Sequence, residues 1–103
     1  MSAGTNRAKV DANQKQLVEL WRAAGAEVQS IAGVGKGCPD VLVAYQGVWA
    51  VVEIKDGSKS LSQRKLTSDE VAWHEKFSRY APVDVVENDE QALELLERMR
   101  GDL

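Results

Sequence analysis

Three residues in this chain have the types and spacing to do chemistry together. Asp40 follows Pro39, and thirteen residues later Glu53 and Lys55 flank Ile54. In a strand, residues i and i+2 share a face about 6.5 Å apart, so Glu53 and Lys55 project together, on the face that also carries Trp49 and Val51. The apolar runs 41–45 and 48–55 are joined by Gln46-Gly47, a two-residue connector that signals a hairpin. That hairpin brings Asp40, at the start of the first strand, close to Glu53 on the second. Two neighbouring carboxylates repel unless a cation lies between them, and charges at the end of an apolar strand are expensive to bury without partners. Mg²⁺ suits such a pair, being a hard ion that takes oxygen ligands, and the Ile54 carbonyl is a candidate third ligand. Lys55 is then placed to orient or help deprotonate an attacking water and to offset charge building on a phosphate. A purely structural ion pair at a sheet edge would leave the second carboxylate without a purpose.

Composition narrows the remaining choices. A chain of 103 residues, 44% hydrophobic and 28% charged, has the size and balance of one soluble domain, taken as residues 10–103 behind a small, polar tail at 1–9. One cysteine, Cys38, and one histidine, His74, exclude an internal disulfide framework and a Cys/His zinc site, so a metal here is held by oxygen. The single thiol fits the cytoplasm. No apolar run approaches the roughly 18 residues of a membrane span, and the first residues lack a signal-peptide stretch. The net charge is −3, but residues 84–103 hold seven acids against two bases, leaving the rest of the chain at +2. Lys59, Arg64 and Lys65 join Lys55 in a basic stretch that can attract phosphate, or simply form a solvated loop.

Periodicity gives the elements. Val10, Leu17, Val18, Leu20, Trp21 and Ala24 mark a helix over 11–24, with Asp11 as N-cap and Gly25 as stop. Val28, Ser30 and Ala32 suggest a short strand before the loop of Gly33, Gly35 and Gly37. That loop is no phosphate-cradling P-loop, because it lacks a Ser or Thr after Lys36 and leads into a strand; Lys36 is instead a candidate phosphate contact, or part of an ordinary turn. The nearly continuous apolar character of 41–45 and 48–55 predicts a sheet covered on both faces. Thr67-x-x-Glu70 is a capping box opening a helix whose Val71, Trp73, Phe77 and Tyr80 are spaced to pack inward, with Glu70 read as a cap residue before a ligand. His74 beside that stripe reads as a half-buried packing residue, and Trp21 and Trp73 as core or dimer contacts. A strand over 83–86 and a last helix capped by Asn88, with Ala92, Leu95, Leu96 and Met99 inward, complete an α-β-β-β-α-β-α order.

Pro39-Asp40 followed by Glu53-Ile54-Lys55 resembles the PD-(D/E)xK nuclease signature, and the element order resembles that superfamily's core. Gly35-Lys36-Gly37-Cys38-Pro39-Asp40, Glu53-Ile54-Lys55-Asp56-Gly57, and Leu66-Thr67 with Trp73-His74 resemble the stand-alone VRR-NUC proteins of phages and bacteria. The resemblance implies an α/β, restriction-endonuclease-like αβββαβ core with a mixed central sheet and an extra C-terminal helix. It implies a Mg²⁺- or Mn²⁺-dependent endonuclease that acts as a homodimer on branched DNA such as a four-way junction, in the manner of Holliday-junction resolvases. Asp40 and Glu53 would be its metal ligands and Lys55 its catalytic lysine. The resolvases carry a Glu eleven residues before the Gly that ends the first helix; here that position is Gln14, which serves the active site or completes a capping box with Asp11. Three other outcomes stay open: a DNA-binding module with a weakened site, a structural or regulatory protein that uses this fold to bind another protein, and a nuclease for flaps, forks or nicks.

Overall fold

Side-chain alternation along the two central strands decides the architecture. In the computed structural model, which describes residues 13–101, β2 (Val41–Tyr45) and β3 (Val48–Ile54) pair antiparallel. Val41, Val43, Tyr45, Ala50, Val52 and Ile54 all turn to one buried face. The hairpin turn has positive φ at both Gln46 (53°) and Gly47 (81°), the backbone of a type I′ turn, whose twist matches that of the strands it joins. β1 (Glu27–Ser30) adds antiparallel to β2, and β4 (Asp84–Val86) runs parallel to β3, so the sheet is mixed, in the order β1-β2-β3-β4. A parallel neighbour requires a long crossover, which the segment holding α2 (Ser68–Phe77) supplies.

Helices α1 (Gln14–Ala23) and α3 (Asp89–Arg100) cover the buried face and pack on each other. Leu17 and Trp21, one turn apart on α1, meet Ala92, Leu95, Leu96 and Met99 of α3 in a single apolar cluster. The Trp21 indole Nε1 donates to the Ala92 carbonyl at 3.1 Å, which locks the two helices in register. The element order α-β-β-β-α-β-α is the one expected, with α3 as the extra C-terminal helix.

Several expectations are corrected at the level of local structure. The first helix begins at Gln14 with Asn13 at the cap position, while Val10, Asp11 and the expected tail at 1–9 lie outside the described residues. As the first residue of the helix, Gln14 cannot be the fourth position of a capping box begun at Asp11. Ala32 belongs to a 3-10 turn and not to β1. The sheet is covered fully on one face only: Trp49, on the opposite face, is 69% exposed. Val71, Phe77 and Tyr80 do not pack inward and Trp73 is only half-buried: α2 buries no residue, and Tyr80, beyond its end, is 85% exposed. The physical reason is shared. With α1 and α3 both on one side, only loops and the first turn of α2 reach the other.

These differences set the expected stabilities. Trp21→Ala empties the centre of the α1–α3 contact and should cost about 3–5 kcal/mol in chemical denaturation. Tyr80→Ala, on the uncovered side, should change stability by less than about 0.5 kcal/mol.

Candidate active site

The β2–β3 register pairs Val41 with Val52, so Asp40, the residue before β2, comes next to Glu53. Asp40, just before the strand, is tied in there, since its N–H donates to the Val52 carbonyl at 3.0 Å. Both acids lie on the face away from the helices, so their side chains meet. The Asp40 carboxylate is fixed by the Ile54 N–H, which donates to its Oδ2 at 2.7 Å. In a strand a residue's N–H and C=O point to the same neighbour, so the Ile54 carbonyl is directed to the Asp40 side as well.

Glu53 is only 3% exposed, and its Oε1 is buried with no hydrogen-bond partner. Its carboxyl is pushed up to about 9, first by burial, then by the charges of Asp40 and Glu70, against a smaller opposing pull from Lys55. Lys55 follows on the same face, its Nζ 2.9 Å from Glu70 Oε1 and 3.7 Å from Glu53 Oε2. Burial works to raise the Glu70 carboxyl, but the Thr67 N–H and the Lys55 ammonium more than offset it and hold Glu70 below its usual range.

Why Glu53 is buried while Trp49, four residues earlier on the same face, is open follows from what roofs that end of β3. The loop Gly35–Gly37–Cys38 and the first turn of α2 close over it and leave a cleft of about 380 Å³ lined by Lys36, Asp40, Glu53, Lys55 and Glu70. Gly37 is pressed against the backbone of Asp69 and Glu70: a Cβ there would collide with the Asp69 carbonyl. With its φ of 85°, this position needs glycine on both counts.

The remaining predicted residues fall around this centre unevenly. Lys36, Lys59 and Lys65 are exposed, and only Lys36 lines the cleft. Arg64 is committed, its Nη1 2.9 Å from Glu87 Oε1 and its Nε on the Lys59 carbonyl. Gln14 lines a different groove, between α1 and β1, with Val18, Val28, Ser30 and Val41. His74 is half-buried beside Trp73, as read from sequence, and burial lowers its pKa. Two residues were not anticipated here. Cys38 lines the cleft, its thiol pushed up by burial and by Glu53 and Asp40. Asn13 donates from its Nδ2 to both the Lys55 and Glu87 carbonyls at 3.0 Å, tying α1 to the ends of β3 and β4. The Asn13 contacts, made 42 and 74 residues along the chain, have no local sequence signal.

Asp40 and Glu53 fit a hard divalent cation. The unpartnered buried oxygen of Glu53 is a donor in want of a positive partner, and the set offers only oxygen. Among the described residues no cluster of three or more His, Cys, Asp or Glu side chains is arranged to hold an ion. The pair would therefore hold one in the way Mg²⁺ prefers, through one or two carboxylates with water completing the shell.

Comparison with known proteins places the fold in a family. A solved structure described as a VRR_NUC domain is 35% identical in sequence, with a TM-score of 0.60, covering 82% of this chain and 89% of its own. The chain belongs to the VRR-NUC family. No protein-family model and no curated protein matches the sequence. Membership makes this a nuclease fold of the PD-(D/E)xK type, with DNA as the partner such a domain implies. Among the described residues of this VRR-NUC protein, no helix is long and apolar enough to cross a membrane.

The raised Glu53 pKa gives a pH dependence with a definite sign. Unfolded, this carboxyl loses its proton near 4.5; folded and without a cation, it keeps it to about 9. Between those values the folded state binds the extra proton, so stability falls as pH rises, by at most about 1.4 kcal/mol per pH unit from this group. Denaturant titrations of metal-free protein from pH 5 to 9 should show that decline, and Glu53→Gln should flatten it.

Proposed function

We propose that this protein is a divalent-metal-dependent DNA endonuclease that works as a homodimer on branched DNA, with the four-way junction as its substrate. The observation that carries the reading is the buried Glu53 carboxyl, one oxygen unpartnered, facing Asp40 across the hairpin with Lys55 beside it. Family membership supports the nuclease chemistry, and the small size of the chain supports a dimer: one domain of this size offers little surface to grip a junction. Residues 10–103 act as one domain in this reading, working in the cytoplasm of a bacterial or phage-infected cell.

Asp40 and Glu53 hold Mg²⁺ or Mn²⁺, with the Ile54 carbonyl as a further oxygen donor. When bound, the ion supplies positive charge at the scissile phosphate and lowers the barrier to water attack. Lys55 orients the attacking water and faces the charge that develops on the phosphate oxygens, which calls for a cation fixed in advance. Water oxygen bonds to phosphorus as the bond to the 3′ oxygen breaks, leaving a 5′-phosphate and a 3′-hydroxyl. Lys36, at the cleft, contacts the DNA backbone, with Lys59, Arg64 and Lys65 further along. Arg64 does so only in so far as its guanidinium can serve DNA as well as Glu87. Gln14 is assigned a supporting role near the first helix, since an amide brings no charge to an ion.

Synthetic four-way junctions, flaps and linear duplex, incubated in Mg²⁺, Mn²⁺ and EDTA, test this directly. Symmetric paired cuts confined to the junction, absent in EDTA, are expected. Asp40→Asn and Lys55→Ala should each lower the rate by at least about 100-fold. Equal cutting of linear duplex would remove the junction preference, and full activity in Lys55→Ala would remove the catalytic assignment.

A further inference from the structure

The capping box at the start of α2 does two jobs with one carboxylate. Glu70 Oε1 accepts from the Thr67 N–H at 2.9 Å, closing the box, while the Thr67 hydroxyl accepts from the Glu70 N–H at 3.2 Å. The same Oε1 accepts from Lys55 Nζ at 2.9 Å. An exposed capping glutamate has no need of a lysine fifteen residues earlier in the chain, and a capping box alone is complete without one. Here the lysine side chain is 11% exposed and the glutamate side chain 18%, so the contact lies inside the cleft and not on a solvated rim where an ion pair would contribute little.

A long, flexible lysine can swing through many rotamers, and its contact with Glu53, at 3.7 Å, is a loose one. Glu70 supplies the shorter contact, and the box fixes Glu70 in turn. The backbone under Glu70 is braced from the other side by Gly37, which admits no side chain there. Glycine loop, first turn of α2, Glu70 and Lys55 thus form a continuous mechanical chain.

We infer that Glu70 is a positioning residue for Lys55: the N-terminal turn of α2, seated on Gly37, clamps the lysine ammonium in the place where the reacting phosphate would meet it. This rests on the nuclease reading of the cleft. It also gives α2 a purpose that its exposed apolar residues do not, since the helix is anchored by its first turn and not by a buried stripe.

The test compares Glu70→Ala, Glu70→Gln and, as a control for lost capping elsewhere, Asn88→Ala, which removes the side-chain cap of α3. Each is measured for junction cleavage and for the lysine ammonium signals in nitrogen-edited NMR spectra of the metal-free protein, with Lys55 assigned by its loss in Lys55→Ala. The wild type should show a slowly exchanging Lys55 ammonium, and Glu70→Ala should lose it. In cleavage, Glu70→Ala should lower kcat by about 10- to 100-fold with KM for DNA nearly unchanged, the mark of a misplaced group. Glu70→Gln keeps the capping box and should restore the unfolding midpoint but only part of kcat. Asn88→Ala should lower the midpoint by about 5 °C and leave kcat intact. A Lys55 ammonium signal that survives in Glu70→Ala, a kcat equal to wild type in that variant, or a kcat loss in Asn88→Ala that matches it would each overturn the clamp. Wild-type protein that cuts no DNA would defeat the nuclease reading, while the ammonium signals would still decide whether Glu70 holds the lysine.

Discussion

Everything in the cleft hangs on the register of one hairpin. Because side chains alternate with a period of two, a slip of one residue between β2 and β3 would send Glu53 and Lys55 into the apolar layer and bring Val52 and Ile54 out of it. The type I′ turn at Gln46-Gly47 resists such a slip by fixing the count of residues on each side. The apolar layer resists it too, since Val41, Val43, Val52 and Ile54 are all essentially inaccessible. Asp40 and Glu53 are therefore held face to face by the same forces that bury the core, and their mutual repulsion is the smaller term. A carboxyl stays protonated or finds a cation sooner than a whole apolar face is exposed.

The second organising fact is that the sheet is roofed unevenly. Helices α1 and α3 occupy one face entirely. On the other, Trp49 and Val85 are open to solvent while Glu53 and Lys55, on the same face, are buried. A partial layer is thus concentrated where the polar residues are, made from a glycine-rich loop and one helical turn. The open end leaves apolar surface that a single copy does not cover, and α2 adds Val71 and Phe77 to the exposed total.

What could be read from the sequence was what depends on short-range pattern. The hairpin, the Thr67–Glu70 box, the Asn88 cap, and the stripes of Leu17 with Trp21 and Leu95 with Met99 are all set by residues within a few positions of one another. The pairing of Asp40 with Glu53 falls in this class because one tight turn joins their strands. What could not be read depends on where separate elements dock. Spacing alone makes Val71, Trp73 and Phe77 an inward stripe, but it cannot say whether a partner layer exists on that side. The apolar run of β3 looks buried on both faces for the same reason. The double duty of Glu70 was half-visible: its cap is local, whereas its contact with Lys55 spans the crossover between two elements. Gln14 was placed by counting back from Gly25, a count that fixes its position on the helix and not the groove it faces.

The placement of charge reconciles an acidic protein with a nucleic-acid partner. The chain carries a net −3, yet its acids are concentrated in residues 84–103, most of them on α3. That helix covers the face of the sheet opposite the cleft, so a sheet and its side-chain layers separate the two. At physiological salt the screening length is about 8 Å, shorter than the roughly 10 Å between packed layers. A phosphate at the cleft mouth therefore responds mainly to nearby groups: Lys36 at the rim, Lys55 inside, and the carboxylates of Asp40, Glu53 and Glu70. Without a cation Glu53 keeps its proton at neutral pH, so the charges of Asp40 and Glu70 stand against those of Lys36 and Lys55. The metal-free cleft therefore offers phosphate no net attraction. A divalent ion at that pair would tip the local balance to positive without altering the fold, and so would favour the approach of a phosphate.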